Sequence, residues 1–492
     1  MGLGWIDLLV LAGYFAITLG LGFWVGRGEK STLDFFLGGR RQHWLLAGMS
    51  IIATEVSALT VIAVPADAFK SDWSYVQMYA GSFVGRVLIV LLLLPAFYRG
   101  GVTTVYEYLG QRFGPWTRTT ASLMFFASRI IGSGIRLLVA SLAVAQVFDW
   151  PLVWVVIGAA GVAIAYATFG GIKSILWTDA FQAIVFLAAA GAVIVFLFGA
   201  IPGGWAQNLG TAYEAGKLHA FTWDFDLNND KVFWVLTVHA VFVTMTAMGT
   251  DQDLTQRMLT CPDVGKSQRS LLFNAFAGLP IVCTFLLIGS LLFVYYAARP
   301  EGALPANVAD SERVFPFFIA TALPDNAGLK GLLIAAIFAA AMSSLSSAVG
   351  ALSSTAVTDL YRPLTANGRS ERHYLVAARV GTFAFGAVLV VVALGFAGKA
   401  DLLWAVFKWV SLVFGGMLGI FLLGVLTKRR GRDGFNALVM VSSVALLVVI
   451  MLIDQHYQRA CARPFIAWPW WVVIGTVWTF VVASVFRTRR VR

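Results

Sequence analysis

The chain has 492 residues; 59% are hydrophobic, only 12% are charged, and the mean hydropathy is +0.80. Soluble domains carry roughly twice that charged fraction, so a soluble enzyme or binding module is excluded, and the lack of residue-by-residue alternation excludes a β-barrel. The net charge of +11 is spread over alternate loops, which excludes a nucleic-acid footprint.

Apolar runs near the length of about 20 residues that spans a bilayer recur along the chain. In order they are 4–26, 44–68, 73–98, 118–147, 151–169, 175–200, 232–252, 271–298, 327–358, 374–397, 402–426, 435–453 and 468–486, about thirteen crossings. The first is expected to remain in the protein: no Lys or Arg precedes it, Asp7 interrupts it, and Arg27 and Lys30 follow it. Basic residues gather in alternate loops, from Arg27, Lys30, Arg40 and Arg41 through Arg257, Lys266 and Arg269 to Lys428, Arg429, Arg430 and Arg432, and again at Arg487, Arg489, Arg490 and Arg492. By the positive-inside rule the N-terminus is then outside and the C-terminus cytoplasmic, in a multi-pass protein of the plasma (inner) membrane. The longest polar stretches, 201–231 and 299–326, fall on the other side and are expected to carry short surface helices. The whole chain, 1–492, reads as a single transmembrane domain, which a transporter reading would divide as follows. Its expected parts are an extra N-terminal helix (4–26), inverted repeats at about 44–200 and 232–426, and two C-terminal helices at about 435–486. Spans 2 and 7 would be the weakened helices that open the repeats.

Several residues are costly to keep in lipid. Glu55 lies mid-span, where an acid costs about 2.5–3.5 kcal/mol on insertion scales; it is either a cation or solute contact or a hydrogen-bonded structural carboxyl. Arg136, with Arg129 two turns earlier, suits a solute carboxylate or tethers Glu55 or backbone carbonyls. For Arg86 the tether is preferred. Asp179 is either a helix N-cap beside Thr178 or a cation ligand. His239 reads as a packed donor. Cys261, Cys283 and Cys461 form neither a disulfide framework nor a metal spacing. No nucleophile–base pair and no Gly-rich phosphate loop is present, so the chain is not read as an enzyme or an ATP-driven pump.

The run Ser343-Ser344-Leu345-Ser346-Ser347 stands in the middle of a long apolar helix. Ala340, Ser343, Ser344 and Ser347 share one helix face. Small residues there either allow close helix packing, or present oxygens that replace the hydration shell of a small cation.

Five stretches in order resemble the sodium:solute symporter family. They are Ala53 to Ser57 with Val64-Pro65; Tyr106-Glu107-Tyr108-Leu109 with Arg112-Phe113; Gly170-Gly171-Ile172-Lys173 with Trp177-Thr178-Asp179 and Gln182; Gly249-Thr250-Asp251-Gln252 with Gln256-Arg257; and Ala340 to Ser347. The resemblance implies an all-α LeuT-type fold of two inverted five-helix repeats. It implies a main sodium site from the carbonyls of Ala53, Val56 and Ala340 and the hydroxyls of Ser343 and Ser344. As in sialic acid symporters, a second sodium would be held by Asp179, Ser343, Ser346 and Ser347. Solute contacts would fall on Glu55, Ser57, Thr60 and near Gln77, with Arg136 added from its chemistry. Ala247 stands near the place where sugar-transporting members have a gating tyrosine. The run Val64-Pro65-Ala66-Asp67-Ala68-Phe69 looks closer to the iodide, vitamin and monocarboxylate branch. The expected function is sodium-coupled symport, by alternating access, of a carboxylate, a sialic acid-like or an amino-acid-like solute into the cytoplasm. The partners are sodium ions (two), the solute and the lipid bilayer, and nothing demands more than a monomer. The alternatives are proton coupling through Glu55 and a membrane solute sensor without transport.

Overall fold

A computed structural model describes residues 3–485 except 58, 300–303, 310–311, 366–367, 399–401, 429–430 and 462. Arg429, Arg430 and the four arginines from Arg487 onward, used above for orientation, lie outside the described residues. Every regular element among the described residues is helical. The membrane helices are α1 (Trp5–Val25), the bent pair α2 (Trp44–Glu55) and α3 (Leu59–Lys70), α4 (Ser74–Gly100), α5 (Pro115–Phe148) and α6 (Leu152–Ala200). A second bent pair follows, α7 (Phe233–Gly249) and α8 (Gln252–Leu259), then α9 (Val264–Ala297), α10 (Leu329–Leu364), α11 (Glu371–Gly395), α12 (Leu402–Leu426), α13 (Asp433–Cys461) and α14 (Trp470–Val485).

Among the described residues nine helices are long and apolar enough to cross a membrane, and the two bent pairs raise this to eleven. Helix α6 has 49 residues and breaks at Gly171; at about 1.5 Å per residue it is far too long for a core of about 30 Å, so it makes two crossings. With that split the described residues hold twelve apolar crossings, and α14, 16 residues long, falls where the thirteenth is expected. The polar stretches between them carry the short helices Gly204–Glu214 and Val314–Thr321.

Prolines explain much of the local shape. Wide, π-helical turns at Leu59–Ala63, Ile89–Leu93 and Ala356–Tyr361 each lie just before a proline, Pro65, Pro95 and Pro363. A proline lacks the N–H that would close the preceding turn, and its ring crowds the carbonyl four residues back; a widened turn absorbs both. Gly171 has φ +51, a backbone that side chains rarely adopt, and a Cβ there would meet the Phe35 carbonyl at 2.6 Å. Only glycine fits this joint.

Helix α10 is the centre of the bundle. It packs on α6, α5, α11 and α1, and 94% of its most apolar window is buried, against 17% for α1. The acid in span 1 also finds its reason. Asp7 is fully buried, its Oδ2 accepting from the N–H of Gly4 and Asn326 and its Oδ1 from that of Gly331. It thus caps the first turns of α1 and α10 together.

Candidate functional site

The first bent pair turns by 57°. Helix α2 ends at Glu55, Val56 takes φ −76 and ψ 83, and Ser57 N–H turns back to the Glu55 carbonyl at 2.9 Å. The helical hydrogen-bond ladder is interrupted here, so carbonyls near the break lose their usual donors. Helix α10 packs across this region, and Ala340, Ser343, Ser344, Ser346 and Ser347 are all at most 2% exposed. The hydroxyl row therefore faces protein and not lipid. Among the described residues, the Oγ atoms of Ser343 and Ser344 and the Oδ1 of Asp179 are buried without a well-formed hydrogen bond, the Ser343 hydroxyl lying beside the Asp179 carboxylate. Two hydroxyls and a carboxylate oxygen on helices that pack against the broken span are the donor types that suit a small hard cation.

Asp179 sits inside the second half of α6, well past Gly171, so the N-cap reading is corrected: the helix begins directly after the glycine joint, earlier than residue 175. Its Oδ2 accepts from Ser50 Oγ at 2.5 Å and from Arg257 Nη2 at 3.0 Å. The same Arg257 nitrogen donates to Ser347 Oγ at 2.6 Å, and Ser347 Oγ in turn donates to Asp253 Oδ1. Ser346 Oγ donates to the Ser343 carbonyl at 3.2 Å. The fold thus brings Asp179 and the serine run together, with Ser347 already engaged by the protein.

A buried ionic net seals the bundle beside these residues. Arg129 pairs with Asp251 at 2.5 Å and Asp253 at 2.8 Å, and Arg257 pairs with Asp253 and Asp179, both at 3.0 Å. Desolvating each ion costs several kcal/mol, returned only by such mutual pairing. Sequence reading took Asp251 and Arg257 as motif letters, counted Arg257 among the basic loop residues, and passed over Asp253; Arg257 instead lies buried on α8, committed to Asp179 and Asp253. The available signal was three ionisable residues within seven positions of an apolar setting, two of them spaced i, i+4.

Beside the net lies a cavity of about 200 Å³ bordered by Glu55, Ser57, Thr60, Ser128, Arg136 and Ser411. A water takes about 30 Å³ of liquid, so the space exceeds the needs of a bare ion. Arg136 reaches it without a hydrogen-bond or ion-pair partner among the described residues, and its buried Nε has no acceptor. Glu55 is different. Its Oε1 is paired with Arg86 Nη2 and its Oε2 accepts from Asn274 Nδ2 at 2.8 Å; Arg86 also donates to Asn274 Oδ1 at 2.9 Å and Ser82 Oγ at 2.6 Å. The preferred tether for Arg86 is what the geometry shows, and Glu55 does not pair with Arg136. Gln77 stays outside the cavity. Its amide donates to the carbonyls of Ser74 and Lys231 and accepts from Thr222 N–H, fastening the loop before α7. His239 Nδ1 lies 2.9 Å from the Pro469 carbonyl, a packed histidine as expected. A second cavity, bordered by Asp67, Asp72, Lys231 and Lys408, shares Tyr75 and Met78 with the first. Those two side chains stand between the spaces.

This arrangement of broken helices and central cavity is a LeuT-type fold. Residues 35–451 match the model of the sodium:solute symporter family. The sodium/sialic acid symporter SiaT of Proteus mirabilis is 31% identical over 452 residues, covering 90% of this chain and 89% of that protein. The human sodium/iodide cotransporter is 28% identical, covering 88% of this chain and 67% of its own. A solved structure of a Na+-coupled sialic acid symporter, in a substrate-bound outward-open state with a novel Na+ site, superposes with a TM-score of 0.86 at 27% identity, over 99% of both chains. The chain belongs to the sodium:solute symporter family. It is a multi-pass membrane transporter, not an enzyme, and couples sodium to the movement of a small solute.

Proposed function

We propose that this symporter carries a small organic acid into the cytoplasm with two sodium ions. The observation that carries the reading is the set of buried oxygens of Ser343, Ser344 and Asp179, without well-formed partners among the described residues, on helices packed against broken span 2, together with an unpartnered Arg136 in the cavity that span 2 borders. In the main ion subsite the carbonyls of Ala53, Val56 and Ala340 and the hydroxyls of Ser343 and Ser344 replace the hydration shell. In the second, Asp179, Ser343, Ser346 and Ser347 do so; Ser347 is released from Asp253 as the ion arrives. The sialic acid symporter structure with its novel Na+ site supports a second ion.

Arg136 takes the solute carboxylate through a charge-assisted fork. Ser57, Thr60, Ser128 and Ser411 offer hydroxyls to its polar remainder. Glu55 holds the broken helix in register through Arg86 and Asn274, presenting only its edge to the solute. Gln77 is left to the loop. Each ion entering down about 100 mV supplies about 2.3 kcal/mol, and two roughly double that. Because the ions join α2 to α10, sodium completes the wall of the solute cavity before solute binds.

The loops that join span 1 to span 2, span 7 to span 8 and span 9 to span 10 are the basic ones, and this end is cytoplasmic; the N-terminus is then outside. The two repeats run over about 44–200 and 232–426, each opening with a bent span, 57° and 60°, crossing in opposite senses. One chain builds the whole site, so a monomer suffices. The proton-coupled and sensor alternatives draw no support from the relatives, and both Glu55 oxygens are engaged. A thermal-shift screen of purified protein against carboxylates, sialic acids, amino acids and sugars, with and without sodium, tests the reading. An acidic solute that stabilises only with sodium is expected. Stabilisation by a neutral sugar, or by an acid regardless of sodium, would overturn it.

A further inference from the structure

Outside the ion and solute site one carboxylate is placed strangely. Glu29 lies in the loop between α1 and the short helix Thr32–Leu37, yet it is only 8% exposed. Both of its carboxylate oxygens are buried with no hydrogen-bond partner among the described residues. It packs directly on the Gly171 joint of α6, where an added Cβ would come within 2.9 Å of Oε2. The charged groups facing it are Lys173 from α6, Arg379 from α11 and Asp34 from the short helix, and neither cation pairs with it. The buried Nε of Arg379 is also unpartnered. Glu371, the other acid of α11 nearby, is already taken by Thr32 and Arg362.

The joint under Glu29 is held from a second side. Ser174 Oγ donates to the Gly22 carbonyl of α1, and Gly26 abuts Gly170. The segment of α6 that starts here carries Asp179, about 12 Å further along the helix at 1.5 Å per residue. Whatever frees the joint therefore frees the end of the helix that bears an ion-site carboxylate.

We propose that Glu29 is a proton-binding site on the cytoplasmic face, a latch that in its protonated form keeps the joint at Gly171 shut beneath the ion sites. An ionised carboxylate buried there without a partner is penalised. Burial pushes the Glu29 carboxyl up to about 8, with Lys173 and Arg379 pulling only partly against it. The sign follows. The shut joint holds the proton, while in the opened joint a water-exposed carboxylate releases it in the ordinary carboxylate range. The latch is therefore at full strength in acid and is lost as pH rises toward about 8. Cytoplasmic acid slows opening, and alkali speeds it. The proposal rests on the cytoplasmic placement of the basic end given above, and on sodium sites lying behind the joint.

Hydrogen–deuterium exchange of the purified full chain in nanodiscs reads the joint directly, without needing the solute. Exchange of the amides around 168–178, corrected for intrinsic chemistry, is compared between pH 6 and pH 8.5. In the wild type opening should rise by about tenfold or more, and in Glu29→Gln it should stay flat at the low value. A flat wild-type profile, or the same rise in Glu29→Gln, would overturn the latch. The flat wild type decides the matter even if the variant does not fold. Adding sodium at fixed pH separates the two readings. If sodium fails to protect the bundle while the Glu29-dependent rise persists, the ion-site assignment falls and the proton site stands.

Discussion

The two bent spans share one geometry and put it to opposite uses. Between α2 and α3 the ladder is left unfinished, and α10, which packs on this pair, carries the hydroxyls of Ser343 and Ser344 without a well-formed partner among the described residues. Between α7 and α8, bent by 60°, the turn is closed on itself. The N–H groups of Thr250 and Asp251 both reach the Thr246 carbonyl at 3.0 Å, Asp251 accepts from Asp253 N–H at 2.9 Å, and Thr255 Oγ1 returns to the Met248 carbonyl at 3.0 Å. Two arginines then neutralise its acids. A break whose polar groups are satisfied is structural; a break whose neighbours are left wanting is where a cargo ion can complete the set. Glu55 and Asp179 repeat the lesson at the level of single side chains, one fully bonded and the other with an oxygen that lacks a well-formed partner among the described residues.

The largest effect should come from breaking the sealed turn. Arg257→Met leaves Asp179 and Asp253 as poorly compensated buried carboxylates, which costs about 3–5 kcal/mol. The midpoint of denaturation in nanodiscs should fall accordingly, and a second change, Asp253→Leu, should restore part of it. A drop below about 1 kcal/mol would mean that the net is not what closes this turn. Arg136→Met should behave in the contrary way. No described residue depends on its guanidinium, so folding should change little. Affinity for an acidic solute should instead weaken by about 10- to 150-fold, the worth of one charged hydrogen-bonded contact of about 1.5–3 kcal/mol. Equal losses of stability in the two variants would erase the distinction between the regions.

The crossings were legible because lipid imposes a coarse rule on composition, and the two halves of α6 were already separate apolar runs, 151–169 and 175–200. The serine row was legible as a helix face. The destinations of charged side chains were not. Glu55 and Arg86 are 31 positions apart, Asn274 is 219 from Glu55, and Asp179 meets Arg257 across 78. Such pairings are set by how helices pack, and local spacing carries no trace of them. Gln77 misled for the same reason: its helix borders the cavity, but its side chain turns toward the loop at 219–231. Asp179 was misjudged as a possible cap because the helix start was placed a few residues late.

Within the serine run itself the comparison can be made sharper. Ser343→Ala removes a hydroxyl that makes no well-formed hydrogen bond among the described residues, so sodium-free stability should change little. The sodium concentration needed for half-maximal stabilisation should climb by about tenfold, equivalent to about 1.4 kcal/mol. Ser347→Ala removes a hydroxyl bonded to Asp253 and Arg257, and should lower sodium-free stability as well. If both variants show the same pattern, the division between an open and a satisfied half of the run is wrong.

The smallest expected effect lies outside both turns. Gln77→Ala strips the partners from Thr222 N–H and the carbonyls of Ser74 and Lys231. Water can reach much of this loop, so the net cost should be about 1 kcal/mol. Exchange of the amides around 219–231 should quicken, because the loop loses its fastening to α4. Sodium requirement and solute affinity should both stay at the wild-type value, since the side chain borders neither the broken helix nor the cavity. A selective loss of solute affinity with the loop unchanged would return Gln77 to the solute and redraw the outer wall of the site.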